Sequence, residues 1–212
     1  MRLGHTLSGV ALLSSVAIGG AGCTIERRPE GQATRDDFER AELGDDWRST
    51  GGRYRIEKGE VVIDHALNHP LWLRRPLPRD AKIELDVWSN ADVGDIKIEA
   101  WGDGKSFATT TSYTATSYVF IFGGWQNRIS AIARMNEHGN DRRTRQDFKV
   151  EKGKRYHWTI TRKGGHIEWL VDGQPFLTFD DPKPLDGPEH AYLALNDWEA
   201  ELHFDNLVVT PL

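Results

Sequence analysis

The chain has 212 residues, 38% of them hydrophobic and 28% charged, a balance that suits one sizeable folded domain and excludes disorder throughout. A formal net charge of −5 argues against a nucleic-acid partner, because a phosphate backbone calls for a basic face. Eight Trp are the compositional anomaly: an indole buries much area yet keeps a polar N–H, so the excess marks either a Trp-rich core or a surface on which ligands stack.

The chain opens MRLGHTLSGVALLSSVAIGGAGC, with one positive residue, Arg2, then a short apolar run and a small-residue segment before the cysteine. The apolar run is too short to span a bilayer, which takes about 20 residues. Residues 1–22 are therefore predicted to be a signal peptide. The segment GAGC resembles the lipobox of bacterial lipoproteins, with Gly20 standing where that motif usually has an aliphatic residue. Cys23 is the only cysteine and has no internal disulfide partner, so its expected fate is lipid attachment; ordinary secretion with cleavage nearby is the alternative. By resemblance, Thr24 after the Cys implies the outer membrane. Residues 23–36 carry Pro, Gly and charges without apolar periodicity and are predicted to be a lipidated Cys and flexible tether.

From residue 37 to 212 no helical period stands out, and thirteen short runs read as strands: 53–57, 60–64, 71–77, 81–89, 95–101, 117–122, 128–136, 145–150, 155–162, 166–171, 175–179, 190–195 and 200–210. Lys58-Gly59, Lys163-Gly164-Gly165 and Asp172-Gly173 supply tight hairpin turns. The fold class is all-β, a two-sheet antiparallel sandwich. Alternation sends Ile83, Leu85 and Val87 one way and Glu84, Asp86 and Trp88 the other. It likewise turns Ile96, Ile98 and Ala100 inward and Asp95, Lys97, Glu99 and Trp101 outward. Two loops repeat one chemistry, amide beside indole: Gly123-Gly124-Trp125-Gln126-Asn127 and Asn196-Asp197-Trp198-Glu199. A sugar presents a C–H face that stacks on an indole and hydroxyls that bond amides and charges. The expected contacts are Trp125 and Trp198 for stacking, and Asn127, Asn196 and Arg134 for hydrogen bonding. Trp88 and Trp101, with Glu84 and Glu99, form a second candidate patch.

The segments LGDDW, YVFIFGGWQNRISAIARMNEHG, KGKRYHWTITRKGGHIEWLVDGQPFLTFDDPKPL and YLALNDWEAELHFDNLVV resemble the concanavalin A-like lectin/glucanase superfamily, in particular bacterial members found beside polysaccharide-degrading systems. The resemblance implies a jelly roll with a ligand site on its concave face or in the loops beside it. Glucanases of this superfamily carry Glu-x-Asp-x-x-Glu on one strand; here Glu84-Leu85-Asp86-Val87-Trp88-Ser89 puts Ser89 in place of the last acid. The expectation is therefore a non-catalytic, carbohydrate-binding lipoprotein of the cell envelope. The alternative is a polysaccharide hydrolase or lyase using Glu84, Glu99 or His157, with Tyr113 and Arg134 as further lyase candidates. A third reading is a structural envelope module that contacts only other proteins. Calcium is the candidate metal, with Asp205 meeting Asp36 or Asp37 if the terminal strands pair; the eight His show no zinc spacing.

Overall fold

A computed structural model describes residue 1, residues 33–110 and residues 112–212 of the chain. The expected signal peptide and Cys23 lie outside the described residues. Among the described residues, fifteen strands follow one another in sequence. They are β1 (Thr34–Asp36), β2 (Trp47–Ser49), β3 (Arg55–Glu57), β4 (Glu60–Asp64), β5 (Leu71–Leu73), β6 (Ala81–Ser89), β7 (Ile96–Gly102) and β8 (Tyr118–Gly123). After a single turn at Gly124–Asn127 come β9 (Ile129–Arg134), β10 (Arg143–Arg145), β11 (Tyr156–Lys163), β12 (His166–Val171), β13 (Gln174–Asp180), β14 (Tyr192–Asn196) and β15 (Glu201–Pro211). They form two antiparallel sheets, an eight-stranded one in the order β13-β12-β11-β6-β15-β4-β3 with β1 on β15, and a seven-stranded one in the order β10-β9-β8-β7-β14-β5-β2. The all-β two-sheet sandwich read from the sequence is the fold observed.

Local chemistry explains the hairpins. β3–β4 and β12–β13 each turn through two residues of positive φ, Lys58 (53°) with Gly59 (78°) and Asp172 (51°) with Gly173 (73°). That pair of conformations matches the right-handed twist of the strands it joins. Between the sheets, inward side chains of alternate positions meet in one core. Phe122 lies at its aromatic centre, with the rings of Tyr156, Trp158, Trp169 and Phe176 at 5.0–5.8 Å, most of them edge-on. The Nε1 atoms of Trp158 and Trp169 are buried without partners, so these indoles are retained for volume and contact rather than hydrogen bonding. Trp47, Trp101, Trp158 and Trp169 belong to this core, and Trp72 is fully buried outside it. Most of the Trp excess is therefore structural.

The structure departs from the sequence expectations at five points. Thr34–Asp36, assigned to the tether, is a strand paired with Leu207–Val209 of β15. Trp47–Ser49 is a strand that no alternation announced, because only Trp47 of its three residues is buried. The run at 71–77 ends as a strand at Leu73, short of Pro76 and Pro78, which cannot donate to a ladder. Most consequentially, β6 and β7 are not neighbours: residues 90–95 carry the chain from one sheet to the other. The patch of Glu84, Trp88, Glu99 and Trp101 is thereby split between two sheets. Trp101 also departs from its expected face. It takes a left-handed conformation (φ 57°) at a register shift opposite Tyr192 and Leu193, and this bulge turns its indole into the core, where Nε1 donates to the Pro78 carbonyl at 3.0 Å.

Candidate functional site

The face of the seven-stranded sheet turned away from the main core carries Lys97 and Glu99 of β7, Asn196 of β14 and a small apolar group, Ala115, Val119, Ile121 and Ala133. Two loops rise beside it. The first is the turn after β8, where Trp125 (φ 51°, ψ 55°), Gln126 (φ 59°, ψ 50°) and Asn127 (φ 59°) are successively left-handed. Each non-glycine residue in that region costs about 1–2 kcal/mol, so the turn persists only because its surroundings hold it. Asn127 does most of that holding. Its Nδ2 donates to the carbonyls of Val150 (2.7 Å) and Asp92 (3.2 Å), and its Oδ1 accepts from the Val150 amide at 2.8 Å. A Cβ at Gly123 would fall 2.5 Å from that same Oδ1, which is why the approach to the turn is glycine.

The second loop joins β14 to β15. Asp197 accepts from the amides of Ala66 (3.1 Å) and Ala200 (2.9 Å), while the carbonyls of Asp197 and Trp198 take the amides of Asn68 and Leu67 at 2.9 and 3.0 Å. These bonds lash the 65–69 loop to Trp198. Trp125 and Trp198, both half-buried, then line one cavity of about 380 Å³, with Asp95, Lys97, Glu137 and Gln126 among its walls and floor. Arg142 covers the Trp125 ring at 4.9 Å, and His138 meets it edge-on at 5.6 Å.

Beneath the cavity lies a desolvated polar network. Lys97, 3% exposed, pairs with Glu137 at 2.9 Å and donates to Asn68 Oδ1 at 2.9 Å. Glu99 is fully buried and accepts from Ser117 Oγ (2.6 Å), Asn196 Nδ2 (2.8 Å) and the Tyr113 hydroxyl (3.1 Å). Burial pushes Glu99 up to about 7 despite those three donors and Lys97. Burial likewise lifts Asp197 to about 7 and Asp95 to about 6; Glu137 and Glu199 add to the shift at Asp95, and Lys97 opposes it. Lys97 loses basicity through burial, but Glu137 and Asp95 more than restore it.

Of the residues predicted to touch a ligand, the structure brings Trp125 and Trp198 together on the cavity. Asn127 instead braces the turn, Asn196 is fully buried against Glu99, and Arg134 lies on another edge, paired with Asp181 at 2.9 Å. Trp88 keeps its outward face on the other sheet but is 9% exposed, sandwiched between His203 (4.9 Å) and Arg155 (4.1 Å). Glu84 pairs with Lys82 at 2.8 Å, and His157 Nδ1 lies 2.8 Å from Asp86, also on that sheet and along a second depression. The terminal strands pair, yet Asp205 is taken up by Arg155 (3.1 Å), and Asp36 by Arg40 (2.9 Å) and Trp47 Nε1 (2.8 Å). Among the described residues no group of three or more His, Cys, Asp or Glu is placed to hold a metal ion. The calcium expectation therefore has no ligand set there. Asp95 and Lys97 were legible as outward-facing, whereas Asn68, Glu137 and Glu199 reach the cavity only through loop packing.

Two consequences can be measured. Asn127→Ala strands three backbone groups at Asp92 and Val150 and should cost about 1–3 kcal/mol in a urea titration, with the Trp125 fluorescence environment changing as the turn relaxes. Stability should also respond to pH in an unusual sense. The folded state holds protons on Glu99 and Asp197 above their unfolded values of 4.5 and 3.8, so their contribution is complete below about pH 4 and is lost as pH rises through about 7. The denaturation midpoint should fall across that interval, and Glu99→Gln should flatten the fall.

Solved structures with this fold include the carbohydrate-binding module CBM66 of Bacillus subtilis, with a TM-score of 0.57 and 13% identity over 78% of this chain and 95% of that one. A protein of unknown function with a galectin-like fold from Bacillus subtilis matches with a TM-score of 0.56 and 12% identity over 84% of this chain and 94% of its own. The carbohydrate recognition domain of Emp47p matches with a TM-score of 0.55 and 12% identity, over 84% and 94% of the two chains. In sequence, an extracellular exo-α-L-arabinofuranosidase of Streptomyces chartreusis is 23% identical over 141 residues, 66% of this chain; the match spans only 16% of that enzyme. Residues 95–207, just over half of the chain, match the family described as Farnesoic acid 0-methyl transferase, and the chain belongs to that family.

Proposed function

We propose that the domain binds a glycan in the cavity between Trp125 and Trp198, without catalysis, and that a lipid on Cys23 holds it at the bacterial cell envelope, on the outer membrane. One observation carries the binding reading. Two half-buried indoles, delivered by separate loops, line a single cavity of about 380 Å³ whose remaining walls are mostly amide, imidazole and charged groups, with Val93 and Ile121 as the apolar exceptions. That is the pairing a sugar ring asks for, an apolar face to stack on and polar partners for its hydroxyls. The carbohydrate-binding module and carbohydrate recognition domain that share this fold support it, as does the arabinofuranosidase match. The name of the chain's family denotes methyl transfer, but a fold hosts many functions, and the reading for this chain rests on its own site.

Catalysis is the second reading, favoured by Asp95, which lines the cavity and, lifted to about 6 by burial, is suited to donate a proton near neutral pH. One experiment separates the two. The full chain in detergent is screened on an oligosaccharide array, reading bound protein and released product. Binding without product supports the proposal; product formation that Asp95→Asn abolishes replaces it with the hydrolase or lyase reading. Silence across the array overturns both in favour of a module that contacts only proteins.

A further inference from the structure

The charges around the cavity narrow the ligand class, a step that rests on the glycan reading above. Asp95, Glu137 and Glu199 line the cavity against a single lysine, Lys97. That lysine is already engaged by Glu137 at 2.9 Å and by Asn68 at 2.9 Å. One cation thus serves several carboxylates: Lys97 offsets Asp95 as well as Glu137, the exposed Glu199 has no cation of its own in the lining, and Glu99 and Asp197 lie buried behind them. The nearby guanidiniums do not line the cavity. Arg142 stacks on Trp125 and donates to the Glu137 carbonyl at 2.6 Å, and Arg128 donates to the Trp125 carbonyl at 2.8 Å. His138 lines the cavity and adds positive charge only when protonated.

A carboxylate or sulfate on the ligand would enter a partly desolvated space already crowded with negative charge, where repulsion is stronger than in water. An ammonium group would instead relieve that crowding and would face the Trp198 indole, whose ring attracts cations, while Trp125 already carries Arg142 at 4.9 Å. Asp95 already registers the crowding, since Glu137 and Glu199 add to the effect of burial in weakening its acidity. We infer that the cavity selects a glycan bearing a free amino group and rejects uronate-containing and sulfated ones.

The test is calorimetry on the full chain in detergent at neutral pH, with three probes: a β-1,4-linked glucosamine tetramer, its N-acetylated counterpart and tetragalacturonate. The amine tetramer should bind about tenfold or more tighter than the N-acetylated one, a difference of ~1.4 kcal/mol, and should weaken as salt is added. Asp95→Asn should bring the two affinities together, the amine tetramer losing at least about fivefold more than the N-acetylated one. Equal affinity for the first two probes, or tighter binding of the uronate, overturns the charge selectivity and leaves the glycan reading standing. No binding of any probe, with a neutral glycan recovered from the array, also overturns the selectivity alone. No binding anywhere removes both.

Discussion

Trp198→Ala is expected to weaken glycan binding by about 30-fold or more, corresponding to ~2 kcal/mol, the size seen when an aromatic anchor is truncated in a desolvated pocket. Trp198 stands half-buried on the cavity wall with its backbone fixed by the Leu67 amide, so the substitution removes a stacking face while leaving the loop bonds made by Asp197 intact. Trp198→Phe should restore most of the affinity, because a smaller ring still stacks. Trp125→Ala should act in the same direction but less cleanly, since the Arg142 and His138 contacts on that ring are lost with it. Isothermal titration with the array hit, alongside a thermal melt, is the measurement. An affinity within twofold of the parent for both alanine variants, with melting unchanged, would sink the cavity as the binding site.

The fold was largely legible because its signals are local. Alternation over β6 and β7 identified their faces, and Lys58-Gly59 and Asp172-Gly173 marked turns that only positive-φ residues make cheaply. The candidate cavity was legible in part for the same reason: Trp125 and Trp198 sit in polar loops after strands, and Asp95 and Lys97 alternate with Ile96 and Ile98. What failed was what no local pattern encodes. Nothing in residues 81–101 says that β6 and β7 belong to different sheets, so Glu84 and Trp88 were grouped with Glu99 and Trp101. The inward turn of Trp101 depends on a bulge set by the partner strand β14. Asn127 and Asn196 looked like ligand amides because exposed and buried amides read alike in a sequence; their roles follow from Val150 and Glu99, more than twenty residues away in the chain. Glu137 and Asn68 were missed because they come to Lys97 from separate loops.

The buried network under the cavity should prove the most sensitive part of the domain. Lys97→Met removes a positive charge that is 3% exposed and leaves Glu137 facing Asp95 with no counterion at 2.9 Å, while Asn68 Oδ1 keeps only its weaker 3.3 Å bond from Asn196. Breaking a buried pair by deleting one partner typically costs about 3–5 kcal/mol, because the remaining charge stays desolvated. A urea midpoint lowered to match is the expected result. The cause can be separated from mere loss of packing by adding Glu137→Gln to the same chain. The double variant no longer holds an unpaired carboxylate there and should recover a large part of the loss, although one further side chain has changed. If Lys97→Met alone fails to fold, recovery in the double variant still decides the matter. A double variant no more stable than the single would mean that the lysine stem, and not its charge, supports the floor of the cavity.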